Sequence, residues 1–260
     1  MSSSIWTQCG GATNCRRLES SPWRVVEAQH VISTRKLTDS DAEQDVLERL
    51  IERSKPPLGE DTRELHFLLF TPFRYPPLRN GSRFGTRIER GIWYGAETLR
   101  TCFAEAAFYR MVFLEGTAAE LAPLFVELTA FRAGVRSERG VDLVARPFDA
   151  HIGRISSPTC YDHSQRLGRA MRDDGVQVAR YRSARDRMGG ASLAVLSPAA
   201  FGRKNPWGFQ TWICVAGRDA VELSKRDHSK RARASLRFPR SDFEVEGILP
   251  SPATHPGLLI

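Results

Sequence analysis

Three residues with chemically useful side chains, Arg83, Tyr94 and Glu105, follow one another at equal steps of eleven positions within residues 71–110. The same stretch carries Arg74 and Tyr75. Arg83 sits in the loop Asn80-Gly81-Ser82-Arg83-Phe84-Gly85. Its guanidinium offers a planar fork suited to phosphate oxygens, and the flanking glycines let backbone approach a ligand closely. Glu105 has apolar residues on nearly every side of its helical pattern, and its neighbours three and four positions away are Thr101, Cys102, Phe108 and Tyr109. No basic group on that helix can satisfy the carboxylate, so its partner comes from another segment. Two readings stand together: a buried ion pair with some arginine, or a carboxylate at the edge of a cleft that acts on a sugar. Together these residues suggest a site for a phosphorylated nucleotide.

Other candidates are weaker on their own. Arg74-Tyr75 precedes two prolines that hold the chain extended, and the tyrosine there equally suits a core anchor. Trp93 and Tyr94 are adjacent in a short strand, so one faces inward and the other outward. Ser183, in Tyr181-Arg182-Ser183-Ala184-Arg185, follows a strand end, a common place for catalytic side chains and a commoner one for turn formers.

These residues need elements to position them. Residues 91–95 read as a short strand, and Thr98 caps a helix that runs to Leu114 and stops at Gly116. The helix should be buried all round. The apolar run 65–70, LHFLLF, reads as a buried strand, and residues 72–86 as a Pro- and Gly-rich loop. Before it, Asp39 or Ser40 caps a helix starting near Asp41, with Val46, Leu47, Leu50 and Ile51 on one stripe and Pro56-Pro57 ending it. Trp23, Val25, Val26 and Val31 are candidates to pack on the main body. Further on, strands are expected near 124–131, 176–181, 192–196, 211–216, 221–223 and 235–238, with 141–144 a strand or turn. A helix is expected from Ser157-Pro158 to Met171, and the last twelve residues form an extended surface tail. Strands outnumber helices without regular alternation, which predicts an α+β fold with a mixed or antiparallel sheet and flanking helices. Residues 1–60 are expected to be an N-terminal extension docked on the core, and 61–260 the catalytic domain.

Composition sets the outer limits. In 260 residues, 41% are hydrophobic and 26% charged, the balance of a globular protein with a substantial core. No apolar run approaches eighteen residues and the start lacks a leader pattern, so the expectation is a cytoplasmic, unanchored protein. The five cysteines are odd in number and widely spaced, which favours reduced thiols. Cys9 and Cys15 with His30 make no four-ligand zinc set, and no metal is expected. Dinucleotide-fold, P-loop, nucleophile-elbow and zinc-protease motifs are all missing from the sequence. The net charge of +8 concentrates in residues 166–187 and 225–240. Solvated faces explain most of it, and anionic partners, nucleic acid included, are the competing reading.

The ordered set formed by Arg74-Tyr75, an Arg in a G-S-R-F loop, Tyr94, Glu105 in an apolar helix, Ser183 in Y-R-S-A-R and the run GGASLAVLSPAAF resembles the RES domain family, over roughly residues 65–201. The resemblance implies a fold similar to ADP-ribosyltransferase toxins and an NAD⁺-consuming activity: glycohydrolase, phosphorylase or ADP-ribosyl transfer to a protein. It implies the toxin of a bacterial toxin–antitoxin pair, with a small Xre-type antitoxin as partner. NAD⁺ would be the substrate, with no further cofactor and no metal. Glu105, Arg83 and Tyr94 would be catalytic, and Arg74, Tyr75, Arg83 and Ser183 would bind NAD⁺. The competing class is a non-enzymatic basic protein that binds nucleic acid or a partner through a degenerate site. A homodimer stays open.

Overall fold

Ten strands in one mixed sheet, with helices against its faces, make up the computed structural model, which describes residues 4–28, 37–77, 80–119, 122–226 and 234–250. The strands are β1 Arg16–Ser20, β2 Trp23–Glu27, β3 Trp93–Ala96, β4 Leu124–Arg132, β5 Val135–Asp142, β6 Val178–Arg182, β7 Ala191–Val195, β8 Trp207–Ala216, β9 Ala220–Lys225 and β10 Ser235–Pro239. The helices are α1 Ile5–Gln8, α2 Asp41–Ser54, α3 Phe67–Arg74, α4 Leu99–Glu115, α5 Ile152–Ile155 and α6 Asp162–Asp173. The sheet order is β1-β5-β6-β7-β3-β2-β4-β8-β9-β10. Only β5 and β6 pair in parallel among the described strands. The architecture is the α+β class expected from the strand-rich sequence.

Residues 16–27 do not lie outside the sheet. β2 stands between β3 and β4, in register from Trp23 against Arg132 to Glu27 against Leu128. Apolar side chains divide into three groups around this frame. α4 packs Phe103, Phe108 and Met111 against Trp23, Leu128 and Trp212, while α1 and α6 cover the β5–β7 side with Trp6, Leu167 and Met171. α3 brings Leu69 and Phe73 against Trp93 and Phe131.

The run 65–70 forms a helix where a strand was expected. A short apolar run suits a buried strand and a buried helix alike, and here the helical spacing of Leu69 and Phe73 places both in the core. His66 caps α3 by accepting the N–H of Leu68. Pro72 leaves the Leu68 carbonyl without its helical donor, and the Trp93 indole N–H takes that place at 3.3 Å. α6 begins at Asp162, later than Ser157-Pro158, because the Ser157 hydroxyl closes a turn onto the N–H groups of Thr159 and Cys160. α2 has its expected bounds, with Ser40 as the cap accepting from the Glu43 N–H. Its stripe is less covered than expected, with Val46 and Leu50 exposed. Val31, His30 and most of the last twelve residues lie outside the described residues.

α4 follows Thr98, whose hydroxyl accepts the Thr101 N–H at 3.1 Å. It is not buried all round. Tyr109 and Phe113 are exposed on the stripe that begins at Glu105, and the opposite face fills the core. The expected all-apolar burial fails because one line of the helix borders open cavities. Among the described residues, no helix is long and apolar enough to cross a membrane.

Candidate active site

β3 alternates, as any strand must: Trp93 is fully buried against α3 and Tyr94 faces the other side. Tyr94 enters a cavity of about 290 Å³ whose walls include Arg24, Arg83, Glu105, Tyr109, Tyr161 and Tyr181. A second, wider hollow of about 550 Å³ shares Arg24, Ser82, Tyr94 and Tyr109 with it and extends the cleft to Tyr75. The chain has five tyrosines, and all five line these two hollows.

Glu105 is half-buried at the cavity wall. Its partner is Ser183, whose hydroxyl donates to Oε1 at 2.5 Å across a separation of 78 residues. No ion pair to an arginine accompanies it among the described residues, and it stands at the wall of the cavity. Ser183 follows β6 directly and is itself fixed. Its Oγ accepts the N–H groups of Arg185 at 3.1 Å and Asp186 at 3.2 Å, while its own N–H donates to the Gly190 carbonyl. The β6–β7 hairpin loop is thus tied down around one hydroxyl, whose proton is left for Glu105.

Arg83 is no solvated loop residue; it is 6% exposed. Its Nη1 donates to the carbonyls of Ile155 at 3.3 Å and Ser157 at 2.9 Å, and its guanidinium lies 4.8 Å from the centre of the Tyr161 ring. Burial works against its charge, but Tyr161, Tyr181, Glu105 and Tyr109 outweigh burial and hold the guanidinium above its ordinary value. The Tyr94 hydroxyl bonds to Ser82 Oγ at 2.9 Å and accepts the Phe84 N–H at 3.2 Å, so it fixes the loop on either side of Arg83. Burial pushes the Tyr94 phenol up to about 12, which keeps it neutral at physiological pH.

Arg83, Tyr94, Glu105 and Ser183 therefore converge from four separate segments. Arg74 does not join them. Its Nε donates to the Pro56 carbonyl and its Nη2 pairs with Glu52 at 2.7 Å, so its guanidinium ties α3 to the end of α2. Tyr75 borders only the wider hollow, on its rim. Three cavity residues carry no weight in the sequence reading, Arg24, Tyr109 and Tyr161, and a fourth, Tyr181, entered it only as part of the Y-R-S-A-R motif. Arg24 interrupts an apolar strand and donates to the Tyr94 carbonyl at 2.8 Å; a charge in such a place was its only visible signal. Tyr109 stands one helical turn after Glu105, a spacing that points both the same way. For Tyr161, neither period nor motif gave a signal. No group of three or more His, Cys, Asp or Glu side chains is placed to hold a metal among the described residues.

The expected basic surfaces are largely neutralised where described. Arg166, Arg169, Arg172, Arg180 and Arg187 pair with Asp162, Glu89, Glu89, Glu97 and Asp242.

An α+β sheet protein with an arginine, a carboxylate and tyrosines around two connected hollows is the class that fold and site define. The RES domain model matches residues 60–215, and the chain belongs to that family. No curated protein matches it. Among solved structures, the M. tuberculosis MbcT-MbcA toxin-antitoxin complex aligns at 15% identity with a TM-score of 0.42, covering 86% of each chain.

Proposed function

We propose that this protein consumes NAD⁺ by breaking the bond between nicotinamide and ribose. The observation that carries the reading is the Ser183–Glu105 hydrogen bond, which holds a carboxylate at the wall of a tyrosine-lined cavity that also receives a buried arginine. Cleavage of the C–N bond leaves the electron pair on nicotinamide, which departs neutral, and places positive charge on the ribose. A carboxylate beside the ring stabilises that oxocarbenium-like charge, as in glycoside hydrolysis. Ser183 occupies Oε1 of Glu105 and leaves Oε2 for the sugar. Arg83 holds the diphosphate by charge-assisted hydrogen bonds. Tyr94 and Tyr75 orient the nicotinamide ribose along the cleft. The acceptor oxygen of water, phosphate or a protein side chain then bonds to the ribose carbon and gives its proton to solvent. The activity would belong to a toxin with a small antitoxin partner, a setting that the family membership supports.

The test is NAD⁺ consumption by the purified protein and by Glu105→Gln, which keeps size and polarity but removes the charge. Turnover should fall by ~10²-fold or more while NAD⁺ binding is largely kept. Mass analysis of the products, with and without inorganic phosphate, identifies the acceptor. Wild-type turnover by Glu105→Gln, or no NAD⁺ consumption by the wild type, would overturn the reading. Growth arrest on induction, relieved by a co-expressed antitoxin, tests the setting.

A further inference from the structure

Tyr161 lies between two buried cations. Arg83 stacks on its ring at 4.8 Å, and Arg185 Nη2 donates to its hydroxyl at 3.3 Å. Arg185 is 3% exposed, sits 3.5 Å over the Phe108 ring, and forms no ion pair with a carboxylate among the described residues. Its Nη1 is buried without a hydrogen-bond partner there. Arg83 also forms no carboxylate ion pair among the described residues, and its Nη1 donates to two carbonyls. An unpaired buried charge is costly, and neither guanidinium has a carboxylate ion partner among the described residues, so an anion in the cavity would complete them.

A guanidinium has donors only, so the Arg185 bond takes a lone pair of the Tyr161 oxygen and turns the phenolic proton away from Arg185. Tyr161 lines the same cavity as Arg83 and Glu105. The carboxylate and this pair of cations give the cavity two chemically different parts, one for developing positive charge and one for negative oxygen. Burial would raise the Tyr161 phenol, yet Arg83, then Arg185, and the neighbouring Tyr109 hydroxyl outweigh it and hold it below the ordinary phenol value.

From this geometry we infer that Tyr161, with Arg83 on its ring and Arg185 behind its oxygen, forms a diphosphate subsite in which the phenol donates to a phosphate oxygen. Tyr161 and Arg83 touch the ligand, and Arg185 is a positioning residue. The assignment of the anion as the diphosphate of a dinucleotide rests on the proposed NAD⁺ activity.

Tyr161→Phe tests it, because the ring that Arg83 stacks on is retained. Calorimetric titration of the full chain with inorganic diphosphate should show binding to the wild type and about tenfold weaker binding to the variant, as for loss of a hydrogen bond to a charged group. KM for NAD⁺ should rise by a similar factor with kcat changed less than about threefold. Inhibition by nicotinamide riboside, which has no phosphate, should be unchanged. Equal loss of diphosphate and nicotinamide riboside binding would show a merely structural role and overturn the inference. So would an unaltered diphosphate affinity, or a wild type that does not bind diphosphate. Arg185→Lys, which keeps the charge but not the planar fork, should give the same split and serves if Tyr161→Phe does not fold. Diphosphate binding without NAD⁺ consumption would defeat the proposed activity and leave the subsite standing. NAD⁺ consumption with an unchanged KM in Tyr161→Phe would do the reverse.

Discussion

Ser183 serves two masters with one oxygen. It accepts the N–H groups of Arg185 and Asp186 and donates to Glu105, so the loop that carries Arg185 and the carboxylate on α4 are set by the same atom. Ser183→Ala leaves two buried N–H groups without an acceptor and frees Glu105 to rotate. It should lower stability by about 1–3 kcal/mol in urea unfolding. It should also cut NAD⁺ turnover at least about tenfold, beyond what the stability loss explains at a temperature where the variant is folded. Equal turnover by wild type and variant would show that the hydroxyl only closes the turn. At this scale the sequence was partly legible. Arg83, Tyr94, Glu105 and Ser183 stand in ordered motifs, and unusual residue types in apolar surroundings mark them. Tyr161 could not be read in this way, and Arg185, though it ends the Ser183 motif, gave no sign of its role, because their meaning comes from each other and from Arg83, across 78 residues for the Arg83–Tyr161 stack (161 − 83).

Elements hold these residues in place, and α6 does so for the Arg83 loop. Gln165 donates from one amide nitrogen to the Ser82 carbonyl at 3.0 Å, with the Asn80 and Gly85 carbonyls at 3.4 Å. Gly168, one turn on, lies flat against the same loop: a β-carbon there would stand 2.0 Å from the Phe84 carbonyl oxygen. That neighbour is backbone and cannot swing aside. Gly168→Ala should therefore push the loop off α6, costing about 1–3 kcal/mol of stability and raising KM for NAD⁺ as Arg83 moves. A crystal structure of the variant with the loop unmoved would refute this. Elements with caps and a clear period, α2 and α4, were legible to within a residue, since Ser40 and Thr98 are side-chain caps in the sequence itself. The run 65–70 was not. Its helical state depends on a donor from Trp93, which makes Pro72 tolerable inside α3 and which no local pattern shows.

The whole sheet depends on a strand from far up the chain. β2 connects β3 on one side to β4 on the other, and Arg24 on that strand reaches the cavity wall and the Tyr94 carbonyl. It lies outside residues 60–215, the span matched by the family model, as do β1, β9 and β10. Apolar runs and alternation announced a strand-rich protein, but strand order is a non-local property, and weakly patterned residues 16–27 gave no sign of a place in the middle. Residues 60–215 alone would keep β5-β6-β7-β3 and β4-β8 as two separate pieces, with open edges where β2 had been. Such edges present rows of unpaired N–H and C=O groups and invite aggregation. The apolar face of α4 would also lose Trp23, Val221, Leu223 and Phe238. Expressed alone, residues 60–215 should therefore be insoluble or unfold without a cooperative urea transition. Addition of residues 4–59 should restore the join between the two pieces, seen as a sharper transition and regained near-UV circular dichroism from the buried tryptophans. A cooperative, NAD⁺-consuming fragment of residues 60–215 would show that the family core closes its sheet without β2.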